Sequence, residues 1–228
     1  HFRIKTGANP HTRNRWGFRK AVDSGLARRQ WDAAVRTFQE YGVRVEVVPP
    51  HPDAPGLVFP ANAGFLLEKS APAPWSQKHF YLSNLLPGRS VEKEIYRKTL
   101  TGLGINACEL PGQFRFEGEA DFFPAADGYV LTFGAIERQR WVPAPGFPPY
   151  RRIYGFRTDV GILESLAALV PDKRIFPLEL CLEAYYHGDT VACPMGRNLE
   201  FLMLYPQGIT PASLENLKKE FPGKLIFL

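Results

Sequence analysis

The residues best suited to chemistry lie in two short stretches, Phe116-Glu117-Gly118-Glu119-Ala120-Asp121 and Tyr186-His187-Gly188-Asp189-Thr190. An imidazole such as that of His187 takes up and releases protons near neutral pH. Asp189, two residues on, can orient the ring or bind a cation, and the two side chains reach one pocket if the chain bends at Gly188. Glu117 leaves a strand beside a glycine, where a carboxylate can hold a guanidinium through two parallel hydrogen bonds. Asp121 reads as a residue that caps the turn. Together these are acid, base and anion for a cationic substrate, with no obvious nucleophile among them.

Three more residues join this set. Asn62 follows an apolar stretch and stands among Ala61, Ala63 and Gly64, small neighbours that leave room for a ligand; its amide both donates and accepts. Arg157 immediately precedes Thr158, the expected cap of a helix, and Arg89 stands just ahead of another helix. Either arginine can clamp a substrate carboxylate. Each residue also has a plainer reading. His187 fits a structural histidine beside a cap, Glu117 an edge-strand ion pair, Asn62 a turn residue, and the arginines a solvated surface.

Composition bounds the function classes. The 228 residues suffice for one large domain, and their net charge is +5. Lys and Arg are dispersed, with the Arg13–Arg29 region the one local concentration, which argues against nucleic acid as a partner. No apolar run is long enough to span a membrane, and the basic start does not resemble a signal peptide. The first residue is His rather than Met, so residues are expected to be missing at the ends. Cys108, Cys181 and Cys193 have no paired spacing and fit reduced thiols of a cytoplasmic protein. No Cys/His spacing fits zinc, so no metal is expected.

Elements must position these side chains. Periodicity predicts helices over Ser24–Tyr41, Ser90–Leu103 and Thr158–Val170, and from Thr210-Pro211 onward. Strands are predicted at His1–Ile4, Val43–Val48, Leu57–Phe59, Phe65–Leu67, Ile105–Leu110, Phe114–Phe116, Tyr129–Phe133, Ile175–Leu180, Ala184–His187, Leu199–Tyr205 and Leu225–Leu228. Arg140–Arg152, with four prolines, reads as a loop. Four times a helix is followed closely by a short strand, a repeat of roughly 50–70 residues that suggests a radial array. One open sheet with helices on its faces is the alternative.

In order along the chain, Val58-Phe-Pro-Ala-Asn-Ala-Gly64, Phe116-Glu-Gly-Glu-Ala-Asp121, Tyr154-Gly-Phe-Arg-Thr-Asp159 and Tyr186-His-Gly-Asp-Thr190 resemble the guanidino-group-modifying, or pentein, superfamily. Its members include arginine deiminases, dimethylarginine dimethylaminohydrolases, amidinotransferases and arginine dihydrolases. The resemblance implies a single α/β domain over residues 1–228, a five-bladed propeller with pseudo-fivefold repeats whose last blade is incomplete. It implies a cysteine hydrolase without cofactor, acting on a small guanidino substrate and leaving an oligomer open. Glu117 would bind the guanidinium, His187 would be the general acid/base and Asp189 a second guanidinium contact. Arg157 and Arg89 would hold the α-carboxylate.

Three departures from the family pattern qualify this. The nucleophilic Cys would lie beyond Leu228, since Cys193 reads as a buried strand thiol; without one, the chain would be a non-catalytic pentein that binds a partner or guanidino ligand. Asn62 stands where deiminases and amidinotransferases usually carry Asp, which favours a dihydrolase giving ornithine and ammonia over a single step giving citrulline. Ala135–Arg152 looks like an insertion, able to act as a lid or to alter substrate choice.

Overall fold

The structure, a computed structural model, describes residues 9–14, 16–67 and 73–228; the strand expected at His1–Ile4 lies outside them. The first helix, α1, runs over Ser24–Glu40 and is capped by Asp23, whose carboxylate accepts from Leu26 N. After it come three units built on one plan. In the first, β1 (Gly64–Leu66) pairs antiparallel with β2 (His79–Leu82), α2 (Ser90–Gly102) crosses over, and β3 (Asn106–Glu109) returns parallel to β2.

The second unit repeats this with β4 (Phe122–Ala125) and β5 (Gly128–Phe133). A hairpin of β6 (Arg140–Pro143) and β7 (Tyr150–Ile153) is inserted before α3 (Leu163–Leu169), and β8 (Ile175–Glu179) returns parallel to β5. The third comprises β9 (Ala192–Met195), β10 (Phe201–Leu204), α4 (Pro211–Glu220) and β11 (Leu225–Phe227), the last parallel to β10. Parallel neighbours require a crossover, and the helix of each unit supplies it. A 3-10 turn precedes every unit: Pro60–Ala63, Gly118–Ala120 and Gly188–Thr190.

The strands therefore form separate small sheets, three of three strands and one of two, and the single open sheet is excluded among the described residues. Unit two sits between two apolar cores. Phe65, Phe116 and Phe122 meet edge to face on one side, with Leu131, Ile162 and Leu166 fully buried beside them. On the other, Val130, Leu178, Leu202, Leu204 and Leu217 close together. Each such side chain contributes about 1.5–3 kcal/mol.

Several elements differ from expectation. Val43–Val48 forms no strand: no described residue pairs with it, and an unpartnered ladder leaves its amides to water. Leu57 and Val58 belong to a 3-10 turn begun by Pro55, and Phe59 separates it from a second begun by Pro60. Phe114–Phe116 makes only an isolated bridge, Asn84 to Phe116, and Ala184 lies in a 3-10 turn over Glu183–Tyr185. Strands β2, β4 and β9 are not among those predicted. The expected loop at Arg140–Arg152 is a hairpin, because its prolines fall at a strand end and in the connection. Trp141 and Tyr150 pack edge to face across it, and Arg152 covers the Trp141 ring. Cys193 does lie on a strand, but it is exposed. No described helix is long and apolar enough to cross a membrane.

Candidate active site

The three 3-10 turns meet, and glycines let them. Gly118 has φ +63°, and a Cβ there would stand 2.6 Å from Ala61 O and from Gly64 N and O. A Cβ on Gly188 would stand 2.3 Å from Thr132 Oγ1. The first turn thus abuts the second, and the second unit abuts the third turn. Asn62 in the first turn, Glu117 at the head of the second and His187 at the head of the third converge.

Asp121 fastens this junction. It is 1% exposed, and both oxygens are committed. Oδ1 accepts from Gly188 N at 2.9 Å and Thr132 Oγ1 at 2.8 Å; Oδ2 accepts from Thr158 Oγ1 at 2.7 Å and His187 Nδ1 at 3.1 Å. Thr158 Oγ1 in turn accepts from Glu117 N at 3.2 Å. Asp121 is thus more than a turn cap: it, rather than Asp189, is the carboxylate that orients the imidazole. Thr158 is likewise not the helix cap, because Asp159 takes that role by accepting from Gly161 N.

The other ring nitrogen, His187 Nε2, faces Glu117 Oε2 at 3.4 Å. Burial works to lower the His187 pKa, but the Asp121 and Glu117 carboxylates outweigh it and push it up to about 9. The ring is therefore an imidazolium at neutral pH, with a proton on each nitrogen. Asn62 Nδ2 lies 3.2 Å from Nε2, but with that nitrogen protonated the amide donates instead to Glu117 Oε2, 2.9 Å away.

Glu117 is 1% exposed, and its two oxygens are used unequally. Oε2 accepts from Asn62 and from Arg89 Nη1, the latter at 2.7 Å. Oε1 is buried with no hydrogen-bond partner among the described residues. Arg89 also donates from Nε and Nη2 to buried Glu92, with Nη2 to Oε2 at 2.8 Å. Arg89 is thus engaged by two carboxylates rather than standing as a surface arginine. Arg157 is buried; its Nη1 donates to Gly155 O at 2.9 Å and its guanidinium lies 4.6 Å from the Tyr186 ring centre. Burial lowers the Arg157 pKa. The Tyr186 ring also stands 4.7 Å from the imidazole of His187.

Of the residues singled out in the sequence, Asn62, Glu117, His187 and Arg89 form one bonded cluster, and Arg157 borders it through Tyr186. Asp189 is exposed and makes no hydrogen bond or ion pair with the described residues. Sequence reasoning missed the parts played by Asp121, Thr158 and Glu92. Glu92 had a local signal, three positions after Arg89 on a helix; the other two depend on contacts across the fold. The cysteines bond elsewhere, Cys181 Sγ to Gln207 O and Cys193 Sγ to Pro194 O. No group of His, Cys, Asp and Glu among the described residues is arranged to hold a metal ion.

A carboxylate with an unpartnered buried oxygen, beside an imidazolium and bonded to one arginine with a second nearby, can accept a flat cation. Comparisons with known proteins find hydrolases of arginine and of dimethylarginine. A bifunctional arginine dihydrolase/ornithine cyclodeaminase from Nostoc, AgrE, is 29% identical over 178 residues, 78% of this chain and 21% of its own length. Its counterpart ArgZ from Synechocystis is 26% identical over 85% of this chain and 23% of its own length. A dimethylarginine dimethylaminohydrolase from Mycobacterium tuberculosis is 23% identical over 90% of this chain and 57% of its own length. The chain is similar to these arginine and dimethylarginine hydrolases. It spans about a fifth of the first two relatives. No family model matches it. Among solved pentein structures, ArgZ superposes with a TM-score of 0.75 at 22% identity over 100% of this chain and 30% of its own. A histidine-to-glycine variant of a dimethylarginine dimethylaminohydrolase, as an adduct with S-methyl-L-thiocitrulline, gives 0.62 at 16% identity, covering 95% of this chain and 70% of its own. These likenesses show an α/β fold that matches those of ArgZ and the dimethylaminohydrolase.

Proposed function

We propose that the complete gene product hydrolyses the guanidino group of arginine or an arginine derivative without a cofactor. The observation that carries this reading is the buried, unpartnered Oε1 of Glu117 beside the His187 imidazolium. The Glu117 carboxylate, with Oε1 open to a new donor, accepts from the substrate guanidinium and fixes its plane through both oxygens, with Asp189 as the second carboxylate at the outer side. Arg157 and Arg89 hold the α-carboxylate.

A guanidinium is a poor electrophile, so attack needs a strong nucleophile at a fixed angle. By the pentein pattern, a Cys thiolate C-terminal to Leu228 attacks the central carbon and gives a tetrahedral adduct. His187 gives its Nε2 proton to the departing nitrogen, and ammonia leaves. The neutral ring then takes a proton from water, and the hydroxide displaces the thiolate. Asp121 keeps Nδ1 protonated throughout and so leaves Nε2 as the nitrogen that changes state. Asn62 donates to Glu117 without adding charge, which favours a second hydrolysis to ornithine, carbon dioxide and a second ammonia. The three units described, together with α1, fit blades of a five-bladed propeller forming a single domain.

Arginine, methylarginines and succinylarginine incubated with the complete gene product, followed by assays of ammonia, citrulline and ornithine, test this; no turnover of any of them would sink it. A second reading, a non-catalytic pentein that binds a guanidino ligand, draws on the position of Cys108, Cys181 and Cys193, whose thiols bond away from His187. The sequence following Leu228 separates the two.

A further inference from the structure

The guanidinium-binding carboxylate already holds a guanidinium, that of Arg89. Arg89 Nη1 donates to Glu117 Oε2 at 2.7 Å, and the same group is gripped from behind by Glu92, 2% exposed. A substrate guanidinium needs both oxygens of Glu117 to bind through two parallel hydrogen bonds, yet Oε2 already accepts from Arg89 and Asn62. We propose that Arg89 is an internal occupant of the guanidinium site, and that binding is a partner exchange in which the substrate's guanidinium takes Glu117 while its carboxylate takes the displaced Arg89. This makes Arg89 a selector for guanidino compounds that carry a carboxylate, beyond its service as a clamp. The inference rests on the guanidino site proposed above.

Charge balance argues the same way. Among the buried and half-buried groups, Glu92, Glu117 and Asp121 face Arg89, Arg157 and the His187 imidazolium, three anions against three cations; Asp189, at the outer side, is a fourth carboxylate but an exposed one. A guanidinium entering alone adds a fourth cation to a poorly solvated cluster and strands Arg89. A guanidinium with a carboxylate at its other end adds no net charge and gives Arg89 a new partner. Arg89 is also the member of the cluster best able to move. It keeps 21% of its side-chain surface exposed, against 1% for Glu117, and it lies at the junction between a 3-10 turn and α2.

Calorimetric binding of arginine and of agmatine, which is arginine without its carboxylate, to the complete gene product tests the exchange. For Arg89→Gln the two ligands are expected to move in opposite directions. Arginine loses about 10- to 100-fold in affinity with its carboxylate partner gone, and agmatine gains about tenfold with its competitor gone. Agmatine binding that is unchanged or weaker in a folded Arg89→Gln protein would reduce Arg89 to a clamp and overturn the proposal. If Arg89→Gln does not fold, as judged by circular dichroism, wild type decides the matter. Acetate, which supplies the missing carboxylate separately, is expected to tighten agmatine binding several-fold, and no response to acetate would overturn the exchange. Wild type that binds neither arginine nor any other guanidino compound would remove the guanidino site itself, an outcome distinct from either of these.

Discussion

The two ends of the site are built differently. At the His187 end almost every polar atom is spoken for: Asp121 accepts four hydrogen bonds, and Thr158 bridges it to the Glu117 amide. At the Arg89 end, one guanidinium is shared between two carboxylates and is partly open to solvent. An overdetermined network holds a proton donor at a fixed angle; a shared cation can change partners. The difference teaches that a fixed end and an exchangeable end can share one site, with Glu117 belonging to both; on the proposed function these would be its chemical and its recognition ends.

Substitutions can break this contrast. The largest effect is expected from His187→Asn, which removes the proton donor: turnover of arginine should fall by about 10²–10⁴-fold while arginine affinity changes little. Parallel losses of turnover and affinity would make His187 a structural residue. Asp121→Asn removes the charge opposite a buried imidazolium and should cost about 3 kcal/mol in denaturant unfolding. It should also bring the His187 pKa down, as read by NMR of the ring. An unchanged pKa would mean that Asp121 serves the backbone alone.

The contrast also has a pH signature. The folded His187 pKa of about 9 lies above its ordinary value of 6.5, so the folded state binds the extra proton more tightly. The stabilisation is fully present below about pH 6.5 and is lost as pH rises through 9. Melting temperature should therefore decline between pH 7 and 10, and His187→Gln should flatten that decline; equal slopes would count against the charged ring. The smallest structural change is Asn62→Asp, which adds a carboxylate beside Glu117. The fold should survive, and the products should shift from ornithine toward citrulline. An unaltered product ratio would take the choice of product away from Asn62.

Much of the site was legible because its residue types are scarce and sit beside small residues. Asn62 among alanines, Glu117 before Gly118 and His187 before Gly188 all stand out in the sequence, and the fold brings them together. Asp121 did not stand out, since its importance lies in hydrogen bonds to residues 37 and 66 positions away. The fold repeated the lesson. Helix α1 was read correctly from its period, yet no residue of it is buried, and Phe38 is 56% exposed. The strand read at Val43–Val48 from similar apolar content is absent, because a helix satisfies its own backbone whereas a strand needs a neighbour. The β6–β7 hairpin was hidden by prolines that turned out to sit where no ladder bond is required.

The meeting of three turns has a consequence for how ligands act on the whole protein. Asn62, Glu117 and His187 come from separate units, and their mutual contacts span 55 and 125 residues of chain. The site is therefore absent until all three units have docked. A ligand held between Glu117 and His187 binds only that docked state, so it acts as a clasp: by mass action, about 2.7 kcal/mol is added to the stability of all three units at once when ligand is at a hundred times its Kd.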